Sequence, residues 1–388
     1  MRTTIIGAGI GGLTTAIALR RAGLEVQVFE RAPEPREVGA GIGLWGNAVG
    51  ALRRIDLADR VLARGESMQT AEFRLASGKR LSTMHAAEFR SRGLEPIALV
   101  HRAELLDELL KAAGPGVVHF GRALAGYDES PSGVTARFET GDTIQSDLLI
   151  GADGLKSRVR AQLLADGEPR YSGYTCWRGV VQFPDPIVPP GYVAEVWGRG
   201  ARFGITRIGA GRVYWWATIN APASPLEQGQ LDDTAKGILF QSHGAFCEPV
   251  PALIRATDAA AIVRNDIYDR APTRTWTRGR VLLIGDAAHP TTPNLGQGGC
   301  MAIEDGVVLA PYLRGVDPSE PGALESRLAQ FVRRRYPKTA QVVRQSRFFG
   351  AIGQWTSPLM CWGRNLVMSL VAERSFRWSV RKIGTFED

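Results

Sequence analysis

The sequence predicts an α/β protein: a Rossmann-like nucleotide-binding domain, a discontinuous mixed β-sheet domain for a substrate, and C-terminal helices. Three observations carry this. A strand, a glycine turn, a helix and a second strand open the chain at residues 3–30. Two later strands, at 147–151 and 281–284, run into glycine-containing turns and then helices. Residues 201–220 alternate in the manner of a hairpin.

Thr3-Thr4-Ile5-Ile6 reads as a buried strand, and Gly7-Ala8-Gly9-Ile10-Gly11-Gly12 as the turn into a helix that Gly23 ends. Val26 to Glu30 is the next strand. This is G-x-G-x-x-G in the context its mechanism needs. Gly7 permits the tight turn, Gly9 lets a pyrophosphate approach the backbone, and Gly12 lets helix and strand pack closely. The helix N-terminus offers unpaired amides to phosphate. Glu30, 18 residues after Gly12, stands where a carboxylate accepts from a ribose diol. FAD and nicotinamide cofactors share this motif, so it alone does not choose between them.

Leucines at three- and four-residue steps mark a helix after His101, with Arg102 in its first turn. A cation is unfavourable there unless an anion lies nearby. Asp147 to Arg160 is a buried strand, an acidic turn at Gly151-Ala152-Asp153-Gly154 and a basic helix. The third turn is the longest: Val281 to Ile284, then GDAAHPTTPNLGQGGC from Gly285 to Cys300, then a helix. Asp286 stands just past a strand end, placed for a sugar or ribityl hydroxyl. Pro293 and Gly296 shape the bend, and Gly298-Gly299 open a helix whose amides stabilise negative charge on a reduced isoalloxazine. The bend therefore reads as the flavin end of a cradle whose adenosine end is residues 7–30.

Between about 171 and 270 the pattern changes to strands with long turns. Pairing Ile208 with Arg212 places Arg202, Gly204, Thr206, Tyr214, Trp216 and Thr218 on one face. Phe203, Ile205, Val213, Trp215, Ala217 and Ile219 fall on the other, with Arg207. Residues 70–96 add strands to the same sheet. The tail from Gln330 is helical, and Trp362, Leu366, Val367, Leu370 and Val371 form an apolar stripe among Arg364, Arg374, Arg377, Arg381 and Lys382. This predicts a helix docked over the site, with contact at a membrane surface as the lesser alternative.

The 388 residues suffice for two or three packed units, and 44% hydrophobic with 22% charged residues is ordinary globular composition. Net charge is +8, but the 47 basic residues, only six of them Lys, are spread along the chain, which disfavours a nucleic-acid partner. Four distant cysteines give no zinc spacing, so no metal is expected. The chain enters a strand at once and has no run of membrane-span length; a reduced cytoplasmic setting is expected.

Taken in order, these segments resemble the class A flavoprotein aromatic hydroxylases, the para-hydroxybenzoate hydroxylase-like superfamily. Gly7 to Gly12 matches its FAD fingerprint, Gly151 to Gly154 its "DG" motif and Gly285 to Pro290 its "GD" motif. Gly39 to Ala48 also fits, except that Gly46 replaces the proline usual before Asn47. The likeness spans nearly the whole chain and is greatest to the urate hydroxylase, salicylate hydroxylase and zeaxanthin epoxidase branch. It implies a monooxygenase that places one oxygen of O2 into an aromatic or fused N-heterocyclic small molecule through a C4a-hydroperoxyflavin. Other outcomes of the resemblance are an isoprenoid or carotenoid-type epoxidase, or a flavin reductase of geranylgeranyl-reductase type.

The resemblance also implies non-covalent FAD, with NAD(P)H as a transient co-substrate. No second nucleotide fingerprint appears, since Gly198 to Gly204 has the wrong spacing. The implied cofactor set is Gly7, Gly9, Gly11, Gly12, Glu30, Arg31, Gly43, Arg102, Leu124, Asp153, Asp286, Pro293, Gly296, Gln297, Gly298 and Gly299. Arg202 and Tyr214 are the implied substrate contacts, and His289 belongs structurally to its turn. The expected FAD-binding domain is 1–70 with 97–170 and 271–330. The substrate sheet is 71–96 with 171–270, the helical segment 331–388, and the assembly a monomer or homodimer.

Overall fold

The computed structural model describes residues 1–35, 40–91, 97–183, 186–224 and 234–386, without the side chains of 89 and 371–380. Gly39 lies outside the described residues, as do the side chains of Val371, Arg374 and Arg377.

The apolar opening segment forms strand Arg2–Ile6 at the centre of a six-stranded sheet. It pairs in parallel with Glu25–Phe29 on one side and Leu148–Gly151 on the other. Val118–His119 extends one edge; Val281–Leu283 and then the antiparallel Thr277–Arg278 extend the other. Parallel strands must be covered on both faces. Helices Ile10–Arg21 and Gly298–Leu313 lie together, close enough that a Cβ at Gly306 would stand 2.7 Å from the Thr15 amide nitrogen. The antiparallel meander Leu124–Ser130, Gly133–Phe138 and Thr143–Ser146 sends Val134, Ala136 and Phe138 into the same core. All three strand-to-turn-to-helix segments read from the sequence are present, and their turns meet at one end of the sheet.

The second sheet has seven strands, in the order Val263–Asp269, Arg170–Gln182, Arg212–Asn220, Ala201–Arg207, Tyr192–Trp197, Thr70–Leu75, Arg80–His85. Every pair is antiparallel except Tyr192–Trp197 with Thr70–Leu75. The hairpin closes as its alternation predicts: the Ile208 amide donates to the Arg212 carbonyl at 3.0 Å. Gly209, Ala210 and Gly211 make the turn with φ of +86°, +52° and +73°. Phe203, Ile205, Val213, Trp215 and Ala217 face helices Thr234–His243 and Val250–Ala256. The opposite face, with Tyr214 and Trp216, turns toward the first domain.

Helix Ala323–Gly353 packs Leu324, Leu328 and Phe331 into the first core. Helix Pro358–Lys382 corrects one expectation. The stripe Trp362, Leu366, Val367 and Leu370 does not dock; these side chains are 47–71% exposed. The opposite face docks instead, through Cys361, Arg364 and Met368. Its buried cation decides the choice. Arg364 donates to the carbonyls of Ile352, Gly353 and Gly198 and lies over the Trp197 ring at 4.8 Å. It thereby satisfies carbonyls at the C-terminus of the preceding helix, where a cation is favoured.

Candidate functional site

The first turn separates glycines that packing requires from one that leaves room. Gly7 has φ +105°, and a Cβ there would lie 2.5 Å from the Ala152 carbonyl oxygen; at Gly12 it would lie 1.9 Å from the Gly7 carbonyl oxygen. At Gly9 it would meet nothing within 4 Å. The helix beyond has no side-chain cap and no acid in its first turn, so its amides are available to an anion. Glu30 spans the turn, accepting from the amides of Ala8 and Ala32, both at 2.9 Å. A carboxylate has further lone pairs to offer. Arg31 is exposed beside it, and Leu124 is buried at the start of the meander.

Asp153 holds the second turn. It accepts from Ser157 Oγ at 2.5 Å and from the amides of Arg158 at 2.7 Å and Val159 at 3.3 Å, capping helix Arg158–Leu164. Burial raises its carboxyl, and these bonds partly offset the rise. Because Gly7 packs on Ala152 and Asp153, this cap fixes the wall that the first turn leans on.

A buried charge network holds the long bend. Asp305 accepts from the Gly285 amide at 2.9 Å, His289 Nε2 at 2.6 Å and Arg335 Nε at 2.8 Å. Burial alone would raise the Asp305 carboxyl, but His289 and Arg335 hold it down to about 2. Glu304 accepts from Arg335, from Lys338 at 2.7 Å and from Asn47 at 3.2 Å. His289 is thus a structural member of the turn.

Asp286, one residue past Gly285, has no hydrogen-bond partner among the described residues. Its side chain is exposed, yet surrounding protein raises its carboxyl, a rise that His289 and Arg102 temper. Exposure with dense surroundings describes a cleft wall. A Cβ at Gly298 would stand 3.8 Å from Asp286 Oδ1, so this carboxylate adjoins the start of helix Gly298–Leu313, which has no side-chain cap. Gly296 takes φ +62°, and Pro293 is exposed at the lip of the bend. Gly43 offers its carbonyl to Cys300 Sγ at 3.3 Å, and a Cβ at Gly299 would meet Ile42 Cδ1 at 2.8 Å.

Asn47 Nδ2 donates to Gln297 Oε1 at 3.2 Å, leaving Gln297 Nε2 and Asn47 Oδ1 buried without partners among the described residues. Buried polar groups are rarely left so. With the space before Gly9 and two uncapped helix N-termini, they fit a long polar cofactor with phosphates at one end and a hydrogen-bonding ring at the other. Arg102 is exposed at the start of helix Arg102–Ala113, near enough for its charge to act on both Asp286 and Tyr214.

Across from the bend stands the polar face of the second sheet. Arg202 pairs with Thr218, Gly204 with Trp216 and Thr206 with Tyr214, so the face read from the alternation is the face observed. Gly204 is required here: a Cβ would lie 1.8 Å from Trp216 Cε2, so the indole rests across it. Tyr214 packs over Gly41, and burial pushes its hydroxyl up to about 12, although Arg178 draws it down. Arg202 is 3% exposed and fully engaged. It donates to Gln354 at 3.0 Å, Glu195 at 3.0 Å and Asn294 at 2.7 Å.

Arg178, Glu195, Asn294 and Gln354 also belong to this face, beyond the residues expected from the sequence. Arg178 pairs with Trp216 across the strands, donates to Asn265 Oδ1 at 2.6 Å, and has no acidic partner among the described residues. Its alternation with Tyr174 and Cys176 in Arg170–Gln182 would have put it on this face had that strand been registered. Gln354 and Asn294 reach Arg202 from distant segments, and no local pattern marks them.

A family model described as an FAD binding domain matches residues 1–346. Aurachin C monooxygenase/isomerase of Stigmatella aurantiaca is 42% identical over 368 residues, 95% of this chain and 94% of that protein. An FAD-dependent urate hydroxylase of Klebsiella pneumoniae is 35% identical over 316 residues, 81% and 82% of the two chains. The crystal structure of Klebsiella pneumoniae HpxO complexed with FAD and uric acid superposes with a TM-score of 0.90 at 30% identity. That match covers 99% of this chain and 96% of the other.

Proposed function

This chain belongs to the FAD binding domain family, and on that premise we propose how its residues divide the work of an FAD-dependent monooxygenase acting on a flat aromatic or fused N-heterocyclic ring. One observation carries the assignment of the flavin end: the buried Gln297 Nε2, without a hydrogen-bond partner among the described residues, beside the uncapped helix start at Gly298. Residues 1–70, 97–170 and 271–330 hold the cofactor, 71–96 and 171–270 supply the substrate sheet, and 331–388 brace both.

Gly9 leaves room for the pyrophosphate at the first helix, while Gly7, Gly11 and Gly12 shape and pack the turn that presents the helix amides to it. Glu30 accepts from the ribose, with Arg31 and Leu124 at the adenosine end. Arg102 lies by the diphosphate and ribityl chain, where Asp286 bonds a hydroxyl. Gly43, Pro293 and Gly296 to Gly299 cradle the ring, and Asp153 keeps the second turn in place. When bound, FAD supplies oxygen activation and transfer, with NAD(P)H as the transient electron donor.

The protein's own part is placement. Amides of Gly298 and Gly299 favour negative charge on the ring edge they face. Tyr214 is protonated at neutral pH, as any tyrosine is, and burial moves its hydroxyl further from ionisation, so it can donate a hydrogen bond to a substrate oxygen. Arg178 lies beside it as a cation without a carboxylate partner among the described residues. Trp216 forms a flat wall, and Arg202 ties that wall to the bend through Asn294, to the neighbouring strand through Glu195 and to the end of helix Ala323–Gly353 through Gln354. The relative that hydroxylates urate supports a fused N-heterocycle as the first ring to try.

The test is direct. Protein purified yellow should release FAD, not FMN, on heating. A panel of ring compounds that includes urate should accelerate NAD(P)H oxidation and yield an oxygenated product. Protein that will not take up FAD overturns the reading of the cofactor site; FAD-loaded protein that converts no ring compound overturns the substrate class.

A further inference from the structure

We propose that the exposed face of the C-terminal helix docks on a lipid bilayer surface carrying anionic headgroups. Nine large apolar side chains are exposed among the described residues, and six of them lie on this one helix: Leu359, Met360, Trp362, Leu366, Val367 and Leu370. Such side chains scattered singly need no explanation, whereas a contiguous patch does. At 100° per residue, Leu359, Trp362, Leu366 and Leu370 share one strip of the helix. Cys361, Arg364 and Met368, which are buried, occupy the opposite strip. Between Leu359 and Leu370 the helix is therefore anchored to the protein by one side and bare on the other.

Charge identifies the occupant. From Pro358 to Lys382 the sequence has four cations besides the buried, carbonyl-bound Arg364, against one acid, Glu373. Arg381 and Lys382 are exposed at the helix end. An apolar strip with Trp and Leu, continued by cations, suits a helix lying in the plane of a bilayer interface, its cations among anionic headgroups. None of the described helices is long and apolar enough to cross a membrane, so surface docking is the mode that fits. A second copy of a chain with net charge +8 would bring like charges together instead.

The experiment uses the full FAD-loaded chain in sedimentation with phosphatidylcholine vesicles, with or without phosphatidylglycerol. Binding is expected to the anionic vesicles, weakening as salt screens the headgroups. Leu366→Glu with Leu370→Glu should lower partitioning roughly tenfold or more, from the apolar burial that two leucines lose. FAD absorbance and melting should be unchanged, because both side chains are solvent-facing. Arg381→Glu with Lys382→Glu should reduce binding to anionic vesicles alone. Failure to pellet with anionic vesicles, or undiminished pelleting of the leucine variant, overturns the proposal. So does light scattering that shows a dimer which the leucine variant dissociates, since the face would then belong to a second copy.

Discussion

Arg335 Nε donates to Asp305 Oδ1 across 2.8 Å, and both side chains are buried, 4% and 0% exposed. The pair joins helix Ala323–Gly353 to the first helical turns after the bend. Removing one partner leaves an uncompensated buried charge, which costs about 3–5 kcal/mol. Arg335→Met should lower unfolding free energy by about that amount in denaturant titration of the FAD-loaded protein.

The same carboxylate sets an acid limit. Asp305 is held down to about 2 when folded, below the unfolded value of about 3.9. Its stabilisation is therefore complete above the unfolded value and disappears as pH falls through about 2. Melting temperature should drop across that interval, and Asp305→Asn should flatten this part of the profile while lowering stability at neutral pH.

Gly9 and Gly12 should fail differently. Gly12→Ala drives a methyl toward the Gly7 carbonyl oxygen at 1.9 Å, so the variant should melt earlier with or without FAD. Gly9→Val puts its side chain in open space and should leave apo-protein melting near wild type while abolishing FAD retention. Equal losses of apo stability would show that Gly9 is a packing glycine like Gly12.

Asp286→Ala removes an exposed carboxylate with no described protein partner. FAD affinity should fall by about 1–3 kcal/mol in fluorescence titration, with the fold intact. Unchanged affinity would take Asp286 out of the cofactor site.

Arg178→Met should keep FAD and its absorbance spectrum but weaken ring-compound binding by about 1.5–3 kcal/mol, the worth of a hydrogen bond from a charged donor. Tyr214→Phe should act in the same direction and raise peroxide released per NAD(P)H oxidised. Wild-type binding and coupling in both variants would move the pocket to other residues.

Local chemistry explains what was legible. The three turns announce themselves because each needs glycine at a left-handed or crowded position next to an apolar strand, as at Gly7 and Gly285. The hairpin face was legible because alternation has a period of two and its turn sets the register. Arg364 shows the limit. Its helix carries apolar residues on two faces, and the buried face follows from carbonyls at Gly198 and Gly353 that no periodicity reveals. Arg202 shows another: its face was readable, but its three partners come from three separate segments.

The bond from Arg202 to Gln354 spans 152 positions of sequence. On the ribosome, strand Ala201–Arg207 emerges well before the residue that will hold its arginine. Strand Thr70–Leu75 likewise waits for Tyr192–Trp197, its parallel neighbour. Such long-range closures are slow and leave strand edges and apolar surface bare in the interval. Translation must therefore pass Gln354 before the pocket wall can set. Chaperone dependence should concentrate in nascent chains that already contain Trp215 and Trp216 but still lack the helix ending at Gly353.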